Sequence, residues 1–263
     1  MSTEYTSQLW KNGENLVLHS WSLFGDSYTV PLILVAYLSF VVYIGPKFMK
    51  SRVPYNLKIL IILYNAMQVL YNFWAVQSSL FEPRFWKNIF QFNCAQMHPQ
   101  ERHDYDILLC FGFWHIMVNK LLDLLDTVFF VLCKKQNHVT FLHVQHHVMS
   151  VGIVWICGKY FPGHEFSVAF LCNTIVHTIM YFYYLVAALG PAFKKYLWWK
   201  KYLTIIQMVQ FVIIGVYGLA SLRLSCGYDH RIVYLILFNA TLNFGLFLKF
   251  FLKTYNPKKQ TIE

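Results

Sequence analysis

The chain has 263 residues, of which 57% are hydrophobic, 19% aromatic and only 13% charged. A soluble domain carries about twice that share of charge and could not bury this much apolar surface, so the composition indicates an integral membrane protein. The formal net charge of +10 would suit a nucleic-acid-binding protein, but the basic residues lie between apolar segments and form no stripe, which points to membrane topology instead.

Seven apolar segments follow in chain order, each near the ~20 residues that cross a bilayer as a helix. They cover residues 28–44, 57–79, 107–133, 141–161, 166–189, 202–222 and 232–252. Their apolar runs are continuous and lack the alternation of barrel strands. We find no cleavable signal peptide in residues 1–27 and no internal repeat. The sequence therefore predicts one all-α domain over residues 1–263, a bundle of seven transmembrane helices.

The basic residues predict the orientation of these helices. They concentrate in alternate connections, namely Lys47, Lys50 and Arg52; Lys134 and Lys135; Lys194, Lys195, Lys200 and Lys201; and Lys253, Lys258 and Lys259. The intervening connections hold fewer bases, most of them beside acids. This alternation fits an odd number of spans with a lumenal N-terminus and a cytosolic C-terminus.

Two of the six cysteines, Cys94 and Cys226, fall in connections on the non-cytosolic side. That compartment permits oxidation, so we predict that they form a disulfide. Two free thiols are the alternative. The cysteine spacings contain no CxxC pair and predict no metal site.

Ionisable residues inside the third and fourth segments are the strongest functional signal. Lys120, Asp123 and Asp126 lie on one side of the third helix, where a salt bridge that ties helices together is the structural alternative. The fourth segment opens with the pattern HxxHH, which places three imidazoles on one helical face: His143, His146 and His147.

Two further spans carry polar residues at helical spacing. The fifth holds Asn173, His177, Tyr181 and Tyr184, and the sixth holds Thr204, Gln207 and Gln210. Such residues often hold helices together, and that alternative stays open for the two glutamines. All four polar faces fall in the cytosolic half of the bundle. The sequence thus predicts one water-accessible pocket with acid–base or nucleophilic chemistry centred on histidine.

Four of these segments, in this order, resemble the sequence boxes of the very-long-chain fatty acid elongase family. Residues 120–127 are similar to its KxxDxxDT box, 141–147 to its histidine box, 177–184 to its HxxMYxYY box and 204–210 to its TxxQxxQ box. The Gly45–Pro46 turn, nearby Arg52 and Pro54, and the last span around Asn243 also resemble the family.

The resemblance implies a 3-ketoacyl-CoA synthase of the endoplasmic reticulum. Such an enzyme condenses a long-chain acyl-CoA with malonyl-CoA, releases CO2 and CoA, and uses no bound cofactor or metal. The helices would sheathe the acyl tail in a tunnel, and cytosolic bases including Lys194 and Lys195 would attract the CoA phosphates, although they also serve as topology determinants.

The mechanism that we expect uses His146 as the nucleophile that carries the acyl chain. His177, with the amides of Asn173 and Gln207, would stabilise the enolate oxygen. Asp123 or Asp126 would orient an imidazole, and Lys120 would offset their charge. His143 and His147 are the other candidate nucleophiles, and a histidine that acts only as a base is the non-covalent alternative.

Two other functions fit parts of the pattern. A di-iron desaturase or hydroxylase also contains HxxHH, but it needs about eight imidazole ligands and this chain has no second such box. A seven-span receptor fits the span count but does not need three charges and four histidines at one depth, whereas a proton-coupled transporter could use them. Chain-length preference is left open. A homodimer and association with other enzymes of the elongation cycle are hypotheses about partners.

Overall fold

The computed structural model describes residues 10–11, 14–15, 20–21, 23–92, 94, 98–161, 166–225 and 230–256. This part of the chain is almost entirely helical. Two short strands, β1 (Trp10–Lys11) and β2 (Glu14–Asn15), pair antiparallel near the N-terminus. The α-helices are α1 (Thr29–Ser39), α2 (Gly45–Met49), α3 (Lys58–Leu80), α4 (Pro83–Phe90), α5 (Pro99–Leu132), α6 (Phe141–Tyr160), α7 (Ser167–Leu189), α8 (Lys200–Leu224) and α9 (His230–Tyr255).

Six stretches of the described chain are helical, long enough and apolar enough to cross a membrane: Thr29–Met49, Lys58–Leu80, His103–Leu132, Ser167–Leu189, Lys200–Leu224 and His230–Tyr255. The chain is therefore a multi-pass membrane protein. The predicted fourth span is also a helix, α6, and its 20 residues suffice in length. It falls outside the six because the imidazoles and Gln145 of its first two turns lower its hydropathy, so the count of seven spans is not confirmed.

Two local features differ from the sequence prediction. The predicted turn at Gly45–Pro46 is wrong, because Phe40–Ile44 form a π-helical turn and the helix continues through Pro46 to Met49. In a π-helical turn each backbone N–H donates to the carbonyl five residues earlier, and here Gly45 N–H donates to the Phe40 carbonyl. Pro46 has no backbone N–H, so it needs no acceptor at this change of register. Helix α5 begins at Pro99, well before the predicted residue 107, because a polar helix can extend beyond the bilayer.

Contacts divide the chain into two compact units. The first comprises residues 1–56 and 96–164, and it contains α1, α2, α5 and α6. Within it α5 packs against α6, and α1 also contacts α6. Its core includes Met117, Val131 and Val151, all fully buried. The two helices that carry the KxxDxxDT and HxxHH residues are therefore direct neighbours.

The segment before α1 is fastened to the end of α6 inside this unit. Lys159 is only 3% exposed, and its Nζ donates to the backbone carbonyls of Phe24 and Asp26, at 3.0 Å each. Phe24 packs directly on Gly158, where a Cβ atom would lie 2.5 Å from the Phe24 ring. The Asp26 carboxylate accepts bonds from the Thr29 hydroxyl and backbone N–H, which lower the pKa of Asp26. The buried Lys159 ammonium thus positions the segment that leads into the first span.

A Schellman motif ends α5 on the side that the sequence assigns to the cytosol. Lys135 N–H donates to the Phe130 carbonyl at 2.8 Å, and Lys134 N–H donates to the Val131 carbonyl at 3.1 Å. Lys134 adopts a left-handed φ of 54° to make this turn. The Leu132 carbonyl accepts from Tyr55 N–H at 3.1 Å, so the loop after α2 is tied to the end of α5.

The second unit comprises residues 57–95 and 165–263, and it contains α3, α4, α7, α8 and α9. Helix α3 packs extensively against α7, and α8 packs against both α7 and α9. Helix α3 buries a stripe of amides made of Asn65, Gln68 and Asn72, each 3% exposed or less. Asn65 and Asn72 donate back to carbonyls one turn earlier, at 2.8 Å each, which satisfies donors that lipid could not.

Candidate functional site

The first polar cluster begins with a buried ion pair on α5. Lys120 Nζ lies 2.9 Å from Asp123 Oδ2, and the two side chains are 6% and 1% exposed. Asp126, one turn further along, is 8% exposed. The two carboxylates and the ammonium lie on the same side of the helix, as their spacing predicts. Lys120 therefore offsets the charge of Asp123 directly.

The histidine box occupies the first two turns of α6. Thr140 caps this helix, because its side-chain oxygen accepts from His143 N–H at 3.3 Å. The His143 and His147 rings meet edge to face with centroids 4.4 Å apart, and the His146 and His147 centroids are 6.0 Å apart. His147 is buried, whereas His143 and His146 are half-buried. The three imidazoles thus form one contiguous group.

Thr127 joins the two helices of this cluster. Its Oγ1 lies 2.9 Å from His143 Nε2 and 2.7 Å from the hydroxyl of Tyr37 on α1. Thr127 is fully buried and Tyr37 is 6% exposed. The hydrogen-bond partner of His143 is therefore a hydroxyl. The expectation that Asp123 or Asp126 orients an imidazole named no particular histidine and stays a prediction.

The second polar cluster centres on His177 of α7. His177 is 5% exposed, and its ring lies 5.7 Å from that of Tyr181, which is fully buried. The Tyr181 hydroxyl is 3.2 Å from that of Tyr64 on α3, and Gln68 Nε2 donates to the Tyr64 oxygen at 3.3 Å. The ring of Tyr184 contacts Tyr181 at 6.1 Å. A chain of polar groups thus runs from α3 towards His177.

The predicted amides of the second unit differ in their surroundings. Gln207 Nε2 on α8 donates to the Met180 sulfur at 3.5 Å, a weak acceptor. The side-chain oxygens of Asn173 and Gln210 are buried and have no hydrogen-bond partner among the described residues. Two buried amide oxygens without donors are rare in folded proteins, so these positions can accept a bond from a ligand or water.

The remaining predicted residues are two lysines and two cysteines. Lys194 and Lys195 are exposed in a 3-10 turn, Pro191–Tyr196, that follows α7. Cys94 is disulfide-bonded and its Sγ lies 3.4 Å from the Leu224 carbonyl oxygen. Its predicted partner, Cys226, lies outside the described residues, as do Lys258 and Lys259. The described part of the chain holds no group of three or more His, Cys, Asp or Glu arranged to bind a metal ion.

The structure adds residues that the sequence analysis passed over. Asn65, Gln68 and Asn72 lie at i, i+3 and i+7 in an apolar span, a spacing that signals a buried polar face. Tyr37 and Tyr64 carried no such signal, because a tyrosine in a span is usually an interfacial anchor and its partner depends on how helices are rotated. The two clusters lie in different units, so the shared pocket stays a prediction.

Comparisons with known proteins agree on one family. The protein-family model with the description "ELO: GNS1/SUR4 family" matches residues 22–262. Very long chain fatty acid elongase 4 of Macaca mulatta is 34% identical over 98% of this chain and 81% of its own length. Very long chain fatty acid elongase 7 of Rattus norvegicus is 36% identical over 90% of this chain and 84% of its own length.

A very long chain fatty acid elongase of Aedes aegypti is 35% identical over 91% of this chain and 66% of its own length. The family match covers both polar clusters, including all three box histidines and His177. The chain belongs to the ELO (GNS1/SUR4) family, the very long chain fatty acid elongases, and is an enzyme of fatty acid elongation.

Proposed function

We propose that the chain is the condensing enzyme of fatty acid elongation, a 3-ketoacyl-CoA synthase that joins a long-chain acyl-CoA to malonyl-CoA. The observation that carries the proposal is the group of three contacting imidazoles on α6, beside the buried acids of α5. An ionisable residue inside a membrane-spanning helix costs ~2.5–3.5 kcal/mol, so such residues usually have a function. Nucleophilic and acid–base chemistry at a thioester is such a function.

The first half-reaction forms an acyl-histidine. An imidazole nitrogen of His146 attacks the thioester carbon, the C–S bond breaks, and CoA leaves as the thiol with the proton that the imidazole loses. His146 suits this role because it is half-buried, in contact with His147 and on the same helical face as His143. This partial burial limits the access of water, which would otherwise hydrolyse the acyl-imidazole.

The second half-reaction joins the carbon chains. Malonyl-CoA loses CO2, and the electrons of the broken C–C bond form an enolate that attacks the acyl carbon. The C–N bond to His146 breaks, the imidazole takes up a proton, and a 3-ketoacyl-CoA two carbons longer is released. In this proposal His177 stabilises the enolate oxygen, assisted by donors such as the Asn173 and Gln207 amides. No bound cofactor takes part.

We place this chemistry on the cytosolic side of the endoplasmic reticulum membrane, with a lumenal N-terminus and seven spans. The acyl tail is an apolar rod that the helices would sheathe within the bilayer. The exposed Lys194 and Lys195 carry charge opposite to that of the CoA phosphates. The proposed disulfide between Cys94 and Cys226 lies on the opposite, oxidising side.

Two measurements on purified protein in detergent test the proposal. We expect the wild type to convert radiolabelled malonyl-CoA and a long-chain acyl-CoA to 3-ketoacyl-CoA, and the H146A variant to lose this activity. Intact-protein mass spectrometry after incubation with acyl-CoA alone should show an acyl adduct, and peptide mapping should place it on His146. The matched control is H230A, because His230 is an exposed histidine at the start of α9.

Each outcome separates one part of the proposal. Absence of malonyl-CoA turnover across a series of acyl chain lengths would exclude the condensing activity. Turnover without any acylated histidine would favour the mechanism in which histidine acts only as a base. A double-mutant cycle between His146 and His177 tests whether both clusters serve one reaction, because residues that act as a unit are strongly non-additive.

A further inference from the structure

Three side chains of the first unit form an unbroken chain of hydrogen bonds that ends on a box histidine. The Tyr37 hydroxyl is 2.7 Å from Thr127 Oγ1, which is 2.9 Å from His143 Nε2. Thr127 is fully buried and Tyr37 is 6% exposed, so bulk water does not compete for either hydroxyl. The His143 ring is also held between the Phe130 ring at 5.4 Å and the His147 ring at 4.4 Å.

Counting protons fixes the direction of this chain. Each hydroxyl has one proton to donate, and a neutral imidazole has one N–H and one lone pair. If Tyr37 donates to Thr127 and Thr127 donates to His143 Nε2, both hydroxyl protons are used. The imidazole proton then lies on Nδ1, which is not one of the fully buried side-chain atoms that lack a partner.

Any other arrangement of donors and acceptors in this chain leaves a buried hydroxyl proton without an acceptor. If His143 Nε2 carried the proton and donated to Thr127, then Thr127 would either donate to Tyr37 or leave its own proton without an acceptor. In the first case the Tyr37 proton has no acceptor among the described residues; in the second the Thr127 proton has none. A buried donor without an acceptor is rare and costly.

We propose that Tyr37 is a positioning residue that acts through Thr127 to hold His143 as the Nδ1–H tautomer. In that state the Nε2 lone pair is occupied by Thr127 and the other nitrogen carries a proton. His143 can then donate from Nδ1, but it has no free lone pair with which to attack a thioester or remove a proton. His143 is thereby excluded from that task among the three box histidines. This catalytic consequence rests on the proposed condensing function, whereas the tautomer does not.

15N NMR determines the tautomer of His143 without any activity assay. The full chain is labelled with 15N-histidine, reconstituted in nanodiscs at neutral pH, and the His143 signals are identified by their loss in H143Q. We expect a protonated Nδ1 and an unprotonated, hydrogen-bonded Nε2. The proposal is overturned if Nε2 carries the proton or if both nitrogens do.

Variants of the two hydroxyl residues test the relay itself. T127V removes the hydroxyl at constant shape and should change the tautomer ratio of His143 by roughly five-fold or more, the effect of one hydrogen bond. T127S keeps the hydroxyl and should restore the wild-type spectrum. Y37F should shift the His143 Nε2 resonance, whereas Y43F, which removes an exposed hydroxyl from the same span, should not. Unchanged His143 signals in both T127V and Y37F would refute the relay.

Kinetics distinguish positioning from simple structural support. Y37F and T127V should lower kcat roughly five-fold with KM for malonyl-CoA nearly unchanged, and T127S should recover kcat. Size-exclusion melting curves identify any variant that fails to fold, and only folded variants are compared. If a variant changes the His143 tautomer but leaves kcat unchanged, the hydrogen-bond relay exists but has no part in catalysis. If no variant and no wild type turns over substrate, the proposed function fails while the NMR result still decides the tautomer.

Discussion

Replacing Asp123 with leucine would leave the Lys120 ammonium as a buried charge without its ion-pair partner. The two groups are 2.9 Å apart and their side chains are 1% and 6% exposed, so neither can turn to water. Breaking a buried pair on one side typically costs ~3–5 kcal/mol, because the remaining charge keeps its desolvation penalty. At ~2–4 °C per kcal/mol for a chain of about this size, D123L should lower the melting temperature by on the order of 10 °C.

The double variant K120M/D123L separates charge from packing. Methionine has nearly the volume of lysine, leucine keeps the branch point of aspartate but is larger, and an apolar pair is often about as stable as the ion pair that it replaces. We therefore expect the double variant to melt well above D123L. The assay is the size-exclusion melting curve of fluorescently tagged protein in detergent. E101L is the matched control, since it removes an exposed acid from the same helix.

The reasoning would be refuted if the effects of the two single substitutions on stability were additive. If the two single substitutions destabilise independently and the double variant loses their sum, Lys120 and Asp123 are not energetically coupled and their contact is incidental. Recovered stability without recovered activity would further show that the pair serves the reaction and is dispensable for folding.

Three further predictions concern the periphery of the two units. Gly158→Ala would push a Cβ into the buried Phe24 ring and should cost ~1–3 kcal/mol in melting experiments. Lys159→Met would leave two backbone carbonyls without their donor, and faster limited proteolysis ahead of the first span should report it. Glu82 caps α4 and pairs with Arg84, which lowers the pKa of Glu82, so its stabilisation is present above the unfolded-state pKa and is lost as pH falls through the lower folded-state pKa. Melting curves of wild type and Glu82→Gln should therefore converge at acid pH.

Clear outcomes would contradict each of these. A Gly158→Ala protein as stable as wild type would mean that Phe24 moves aside at little cost. Unchanged proteolysis of Lys159→Met would show that the N-terminal segment is held by packing alone. A gap between wild type and Glu82→Gln that persists at acid pH would assign the effect to something other than the carboxylate charge.

Much of the helical architecture was readable from the sequence because hydrophobic periodicity is a local property. The start of α6 at Phe141 was predicted to the residue, because the apolar run begins there, and the structure adds that Thr140 caps the helix. The start of α5 was missed by eight residues. Hydropathy detects the bilayer crossing but not a polar helix that continues beyond it.

The partners of the site residues were harder to predict. The spacing of Lys120 and Asp123 sufficed to place them on one side of α5, and the structure pairs them. Nothing in the sequence indicated that Thr127 would contact both His143 and Tyr37, because that depends on the rotation of three helices about their axes. Local spacing determines which residues share a face, while packing between helices determines which atoms meet.

The amide stripe of α3 has a consequence for biosynthesis. Asn65, Gln68 and Asn72 lie on a helix whose main packing partner is α7, which the ribosome begins only after the chain from Leu80 to Ser167 has been made. At ~5–20 residues per second that interval lasts on the order of 5–20 s. During this time the second span lacks its main packing partner, and only intrahelical bonds, such as those of Asn65 and Asn72, satisfy its amide donors, so we expect the insertion machinery to shield the remaining polar groups from lipid. Substitutions in α7 would therefore lower the yield of the protein at the membrane before they affect any step of the reaction.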